Sequence, residues 1–241
     1  PSGGGNGGLY PNPISNVDYE FKLIINNNIS TNLNNINYES EFTSPYLKTI
    51  NDGIIIAVID TGIDTSLPVF SAPFLYNAEG IDTGEDMISG WDFVNNINDP
   101  YDNNPGKHGT VVSSIIFDEF RLRTTKAFQI MPIKAFKSDG TASYFDVLCA
   151  TNFAMDYADI INMSFGWKND AFGDFQNTIL SSLIGDNPNV ITVASAGNYN
   201  NDNDGIGDAH YPSNYPQSNM YAIGASNQGD SNVANYSNFG G

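Results

Sequence analysis

Three short segments that lie far apart in the 241-residue sequence carry side chains with complementary chemistry. They are Asp60-Thr61-Gly62, His108-Gly109-Thr110 and the run from Ala194 to Asn198. A carboxylate can orient an imidazole, the imidazole can take the proton of a hydroxyl, and a carboxamide can donate to the resulting oxyanion. The nucleophile is missing, since no Gly-Thr-Ser occurs between Asn198 and Gly241. The residue types therefore indicate most of a site for acyl transfer.

Alternating strands and helices are predicted to position these side chains. Ile54 to Ile59 is a continuous apolar run, typical of a strand covered on both faces. Further strands are predicted at 129–136, 159–163, 190–196 and 220–224, and helices at 109–117, 144–157 and 172–183. This order predicts an α/β fold with a doubly wound, mostly parallel sheet and helices on both faces. Asp60 and Asn198 would then follow the carboxyl ends of strands, where active residues lie in such sheets.

The sequence divides into two parts of different composition. Residues 1–50 are rich in Gly, Asn and Ser, with only short apolar patches, and are predicted to form an N-terminal arm or linker. Residues 51–241 are long enough for one α/β domain.

Charge and cysteine content limit the class of partner and compartment. The sequence has 9 basic and 27 acidic residues, a formal net charge of −18, so it would repel phosphate backbones, and nucleic acid is not an expected partner. The single cysteine, Cys149, excludes an intrachain disulfide and is predicted to be a buried, unreactive thiol. No apolar run is long enough for a membrane span. The acidity, low lysine content and abundant Asn indicate a secreted or cell-surface protein.

The motifs together resemble those of the subtilisin-like serine endopeptidase family. Ile59 to Asp64 is similar to the family's Asp motif, Gly106 to Val112 to its His motif, and Ala194 to Asn198 to its oxyanion-hole run. The resemblance covers about residues 50–241 and implies an incomplete catalytic domain that lacks the C-terminal part of the fold. It implies that Asp60 orients His108, that His108 acts as general base and then general acid, and that Asn198 donates to the oxyanion.

The resemblance also implies a substrate-binding surface for a protein or peptide. Ile161 to Gly166 resembles the family's substrate-binding strand and turn, and Ser138 to Ala142 resembles the edge strand that pairs with substrate. Ser164 to Gly166 and Ala194 to Gly197 would wall the pocket for the side chain before the cut, and their small residues indicate a roomy, mainly apolar pocket. The residues expected to contact substrate are Gly140, Thr141, Ser164, Phe165, Gly166, Ser195, Ala196 and Gly197.

Departures from the family pattern lie in a calcium site and at the nucleophile. Val69 stands where the family has an Asp, and Phe117 to Arg123 replaces an expected Asn-rich loop, so the family's tight calcium site is expected to be absent. The family's serine opens a buried central helix, without which the sheet would expose a large apolar face. We therefore expect the remainder as further C-terminal sequence or as a second chain.

Two other segments are candidates for calcium, and no organic cofactor is expected. Asn200, Asp202, Asp204 and Asp208 lie in a loop that resembles part of an EF-hand, although Tyr211 replaces the usual bidentate Glu. Asp92, Asp99 and Asp102 form the second candidate set. An Asx-Gly turn and a rigid proline-containing surface loop are the respective alternatives.

Other classes of function stay open at this level. Asp-Thr-Gly also marks aspartic proteases, and a second copy occurs at Asp82-Thr83-Gly84, but the two copies are too close to come from two similar lobes. A non-catalytic relative used as a binding or scaffold module is another alternative. The presence of Asp60, His108 and Asn198 together argues against it, and loss of the serine from the complete protein would argue for it. A third is an oligomeric surface protein whose Gly-rich arm docks on neighbours.

Overall fold

The computed structural model describes residues 20–22, 53–67, 70, 75, 90–168, 174–205, 209–227 and 232–240. The predicted strands and helices within these ranges are confirmed, with ends that differ by a few residues. Some predicted features lie outside them: Val69, Asp82 to Gly84, Asp208 and most of the N-terminal arm. The strands and helices are β1 Glu20–Lys22, β2 Ile54–Asp60, β3 Trp91–Asp92, α1 His108–Arg123, β4 Phe128–Lys134, β5 Thr141–Ser143, α2 Tyr144–Tyr157, β6 Ile160–Met163, β7 Trp167–Lys168, α3 Asp174–Gly185, β8 Ile191–Ser195, β9 His210–Tyr211 and β10 Met220–Ile223.

A six-stranded sheet in the order β10-β8-β6-β2-β4-β3 forms the centre of the described structure. Every pairing within this sheet is parallel. Because parallel neighbours need crossover connections, the helices lie between successive strands in the sequence. The observed architecture confirms the predicted α/β, mostly parallel fold.

Alternate residues of β2 face two separate cores. Ala57 and Ile59 pack into the cluster that contains α2 and Leu180 of α3, whereas Ile56 and Val58 pack with Phe117 of α1. Side chains alternate between the faces of a strand, so an unbroken apolar run is required when both faces are covered. Burying each such side chain contributes about 1.5–3 kcal/mol. The apolar run of β2 thus has a direct physical cause.

Helix α1 is longer than the sequence indicated. The segment from Phe117 to Arg123, interpreted as a replacement for a loop, continues the helix instead. Phe117 and Phe120 both pack against Phe128, with ring centroids 5.7 and 5.2 Å apart, respectively. This aromatic contact with the start of β4 stabilises the last turns of α1.

One face of the sheet is less covered toward β8 and β10. Ile191, Tyr221 and Ile223 are 42%, 52% and 54% exposed. Their register places them on the same face, since Tyr221 pairs with Val193 and Ile223 with Ser195.

Among the described residues, no helix is long and apolar enough to cross a bilayer.

Candidate active site

The hydrogen bond between Asp60 and His108 joins the end of β2 to the start of α1. His108 Nδ1 lies 2.7 Å from Asp60 Oδ1, and the backbone N–H of Thr61 donates to the same oxygen at 2.7 Å. Asp60 is 2% exposed, and its Oδ2 has no partner among the described residues. A buried carboxylate held this way fixes the orientation and tautomer of the imidazole, with the proton on Nδ1 and Nε2 free to act as a base.

Gly109 allows α1 to approach β2 closely enough for this hydrogen bond. Its backbone N–H donates to Thr61 Oγ1 at 2.9 Å. A methyl group on Gly109 would lie 2.3 Å from the Gly62 carbonyl oxygen and 3.1 Å from Asp60 Cβ. Any larger residue would push the first turn of the helix away from the carboxylate.

Asp102 anchors the beginning of α1. Its Oδ2 accepts from the Thr110 N–H at 3.0 Å and from the Thr110 hydroxyl at 2.7 Å, and its Oδ1 accepts from the Asn104 N–H at 3.1 Å. A carboxylate near a helix N-terminus is stabilised by the free N–H groups and the helix dipole. The structure therefore places Asp102, a candidate calcium ligand, in a helix-anchoring network.

The environment of His108 adjusts its basicity. Burial acts to lower the pKa of His108, but the charge and hydrogen bond of Asp60, with a further contribution from the charge of Asp102, outweigh it and raise the pKa above the ordinary 6.5. A raised pKa makes the imidazole a stronger base for a hydroxyl proton.

Lys134 lies beneath the carboxylate and was missed by sequence reasoning. It is 1% exposed, and its Nζ donates to the Thr61 carbonyl at 2.7 Å, to the Phe136 carbonyl at 2.8 Å and to Asn103 Oδ1 at 3.1 Å. Burial lowers the pKa of Lys134, against the opposing effect of nearby carboxylates that include Asp60. A lysine inside an apolar strand segment was the available signal, because a buried charge needs partners.

Three neighbouring strands end at the same level on the side of the sheet that carries Asp60. Ile59 pairs with Met163, and Met163 pairs with Ala194, so the segments after β2, β6 and β8 begin side by side. Ser164 to Gly166 and Ser195 to Gly197 therefore adjoin each other, and the Ser195 hydroxyl lies 3.4 Å from the Phe165 carbonyl oxygen. Asn198 follows at the same edge, exposed, and its side-chain amide has no hydrogen-bond partner among the described residues.

Two buried asparagines hold the loop that carries Asn198. Asn203 Nδ2 donates to the Ala196 carbonyl at 2.9 Å, and Asn238 Nδ2 donates to Asn203 Oδ1 at 2.9 Å. Asn238 Oδ1 accepts from the Tyr199 N–H at 2.7 Å. No local pattern indicated a role for these two residues, since the bonded partners are separated by as many as 39 positions.

The edge strand predicted to bind substrate is β5, and it pairs with β1. The pairing is antiparallel, with Phe21 opposite Ala142 and Lys22 opposite Thr141. Gly140 precedes β5 with a φ of 81°, a left-handed conformation that favours glycine. Part of the predicted N-terminal arm thus lies along the strand to which a peptide was expected to add.

The candidate calcium ligands do not converge in the described structure. Asp92 accepts two hydrogen bonds from Asn95, and Asp99 is exposed. Asp202 Oδ1 accepts from the Asp204 N–H at 3.1 Å, as in an Asx turn. Within the described ranges, no three His, Cys, Asp or Glu side chains group in a way suited to a metal ion. Calcium at the loop from Asn200 to Asp208 stays a prediction.

Two curated proteins with sequences similar to this chain are a serine proteinase and thermitase. The thermophilic serine proteinase of Bacillus sp. (strain AK1) is 32% identical over 198 residues, which cover 79% of this chain and 42% of that protein. Thermitase of Thermoactinomyces vulgaris is 25% identical over 194 residues, 78% of this chain and 60% of thermitase. This chain therefore spans only about half the length of these relatives.

Fold comparison agrees with the sequence matches. The crystal structure of a lanthipeptide protease superimposes with a TM-score of 0.62 at 22% identity, over 78% of this chain and 54% of that one. The sequence pattern that defines the Subtilase family matches residues 51–241, which is most of the chain. The chain therefore belongs to the Subtilase family.

Proposed function

We propose that this chain forms the acid, base and oxyanion side of a serine endopeptidase. The observation that carries the proposal is the 2.7 Å hydrogen bond between His108 Nδ1 and the buried Asp60 carboxylate. A binding or scaffold module has no need of a buried carboxylate–imidazole pair, so this hydrogen bond favours catalysis over that alternative. It also favours a role for Asp60 beside an imidazole over the shared-proton pair of an aspartic protease.

The proposed reaction proceeds through an acyl-enzyme. Nε2 of His108 takes the proton of a serine hydroxyl as its oxygen attacks the peptide carbonyl carbon, and the carbonyl oxygen becomes an oxyanion. The Asn198 side-chain amide donates to that oxyanion. His108 then gives its proton to the leaving amine as the C–N bond breaks. Water attacks the ester with His108 again as base, which releases the acid and restores the serine.

We infer that the serine belongs to a segment that packs on the exposed face of β8 and β10. Ile191, Tyr221 and Ile223 lie on that face, each more than 40% exposed. Contiguous exposed apolar side chains mark surfaces that another segment or chain covers. A further part of the same protein is the proposed occupant, and a second chain is the alternative.

A peptide substrate is proposed to add as a strand beside β5, with main-chain hydrogen bonds supplying affinity. β1 already pairs with one edge of this strand, so a peptide that adds at that edge must displace Glu20 to Lys22. Deletion of residues 1–50 from the complete protein is expected to lower KM for a peptide ester and leave kcat nearly unchanged. An unchanged KM would mean that peptides bind elsewhere.

The function itself is tested by labelling and by hydrolysis. The complete protein should react with a fluorophosphonate, which modifies activated serines, and should hydrolyse a peptide ester. His108→Ala should remove both properties, since loss of the base in subtilisin costs about 10⁶ in turnover. Asn152→Ala, on the exposed side of α2, is the matched control. Hydrolysis that persists in His108→Ala would point to other chemistry.

Secretion or display at the cell surface is part of the proposal. The acidic composition and the absence of an intrachain disulfide are compatible with either location, and the family match adds general support. Fractionation of the native source, with detection by an antibody against this chain, would test it: recovery only from the cell interior would contradict the proposed location.

A further inference from the structure

His210 is one of the chain's two histidines and has no role in the proposed mechanism. It is 3% exposed and lies in β9. A methyl group on Gly166 would lie 2.1 Å from Cε1 and 2.6 Å from Nε2 of its ring, and one on Gly197 would lie 2.9 Å from Cδ2. The imidazole therefore contacts both glycine segments that were predicted to bind substrate.

This position reduces the space between those segments. Glycines on two facing walls leave room for a long side chain only when nothing else fills the gap. Here the His210 ring lies against both segments, so it takes up space that the roomy pocket expected from the sequence would need. A residue 44 positions beyond Gly166 provides this floor, so the local sequence of the walls does not predict it.

Hydrogen bonds fix the state of the ring. The Ser213 hydroxyl donates to the His210 carbonyl at 2.8 Å, so its oxygen is left to accept from Nδ1–H at 3.1 Å. The proton therefore lies on Nδ1, and Nε2 is an unprotonated acceptor beside Gly166. Burial and the charge of Lys168 lower the pKa of His210 to about 4, which keeps the ring neutral at pH 7.

The charged group that lowers the pKa of His210 is Lys168. Lys168 of β7 lies directly opposite His210 of β9 in their antiparallel pair. Its Nζ lies 4.5 Å from the ring centroid of Tyr199, which itself is adjacent to His210 with 6.3 Å between ring centroids. A basic substrate side chain in this pocket would meet a neutral floor and a neighbouring cation.

We propose that His210 forms the floor of the pocket for the substrate side chain on the acyl side of the cut, and that with Lys168 it restricts this pocket to compact, uncharged side chains. The inference rests on the proposed endopeptidase function and names its substrate class. Size exclusion comes from the imidazole, and exclusion of basic residues comes from Lys168.

The test uses the complete protein and three peptide substrates that differ only in the residue before the cut: Ala, Phe or Lys. The wild type should have the highest kcat/KM for Ala. His210→Gly should raise the Phe-to-Ala ratio of kcat/KM by about 10-fold or more, since a few carbon atoms in a pocket change kcat/KM by such factors. Lys168→Met should raise the Lys-to-Ala ratio and leave the Phe-to-Ala ratio unchanged. If His210→Gly does not fold, His210→Asn is the substitute, since it changes the side-chain volume less. It should shift the Phe-to-Ala ratio of kcat/KM in the same direction.

Calorimetric binding of the three matching product peptides separates the two levels of the proposal. If cleavage occurs but neither histidine variant changes the order of the peptides, the pocket assignment is wrong and the endopeptidase function stands. If no peptide is cleaved but the binding order shifts in the histidine variants, the pocket assignment stands and the function fails.

Discussion

Replacement of Asn238 by Ala is predicted to lower both the stability of the protein and its turnover. The side chain is 1% exposed and takes part in three hydrogen bonds, to Asn203 Oδ1 and from the backbone N–H groups of Tyr199 and Asn201. At a net value of about 1 kcal/mol for each bond, the variant should lose about 2–4 kcal/mol of unfolding free energy. The upper part of that range applies because the buried Asn203 oxygen loses this donor.

Asn238→Ala should also displace Asn198, the proposed donor to the oxyanion. Asn198 lies between Gly197, whose carbonyl accepts from the Asn238 N–H at 2.9 Å, and Tyr199, whose N–H loses its acceptor in the variant. In subtilisin, complete loss of one oxyanion donor costs about 10²–10³ in turnover, which sets the upper limit for misplacement of Asn198. The loss should appear in kcat more than in KM, because the donor acts on the transition state.

The assay combines urea unfolding of the chain with steady-state hydrolysis of a peptide ester by the complete protein. Asn152→Ala removes the same side chain from an exposed helical position and should change the unfolding free energy by about 0.5 kcal/mol or less. An unchanged unfolding free energy in Asn238→Ala would refute the claim that the three hydrogen bonds of Asn238 stabilise the fold. Lower stability with unchanged kcat per folded molecule would refute the claim that Asn238 positions Asn198.

Three further predictions follow from the charges around the site. kcat/KM should rise with pH at a midpoint above 6.5, because His108 has a raised pKa and must lose its proton to act as base. Asp60→Asn should move this midpoint to lower pH. An unmoved midpoint would show that Asp60 does not raise the pKa of His108. Lys134→Met should lower the unfolding free energy by about 2–4 kcal/mol, because the Thr61 and Phe136 carbonyls and Asn103 Oδ1 lose their buried donor, and a loss near zero in urea would contradict its role. Calcium at 100 times its Kd should stabilise the protein by about 2.7 kcal/mol and should have no effect on an Asp202→Ala, Asp204→Ala double variant; equal unfolding midpoints of the wild type with and without calcium would end the calcium hypothesis.

Lower pH offers a separate check on His210. Its pKa of about 4 lies below the ordinary 6.5, so the unfolded chain binds more protons between these values. Unfolding free energy should therefore fall as pH drops from 6.5 toward 4 and should be fully restored above 6.5. His210→Asn should reduce that slope, and an identical slope in the variant would show that other groups cause it.

Local sequence patterns were enough to predict the main strands and helices and the family. The apolar run of β2 and the helical spacing from Tyr144 to Tyr157 predicted both elements closely, because burial imposes a period of two or of 3.6 on consecutive residues. The order of the Asp, His and Asn motifs indicated the Subtilase family, to which the chain belongs. These signals are contained in short segments, so they can be read without a fold.

The features that local patterns did not predict depend on contacts between segments far apart in the sequence. Lys134 under Thr61, Asn238 against Asn203, His210 against Gly166 and β1 along β5 each join residues separated by 30 or more positions. No local period marks such pairs, because their free energy comes from burial and hydrogen bonds that exist only after the chain has folded. The sequence therefore indicated which groups could perform the chemistry, and packing set how firmly they are held and what size of side chain fits between them.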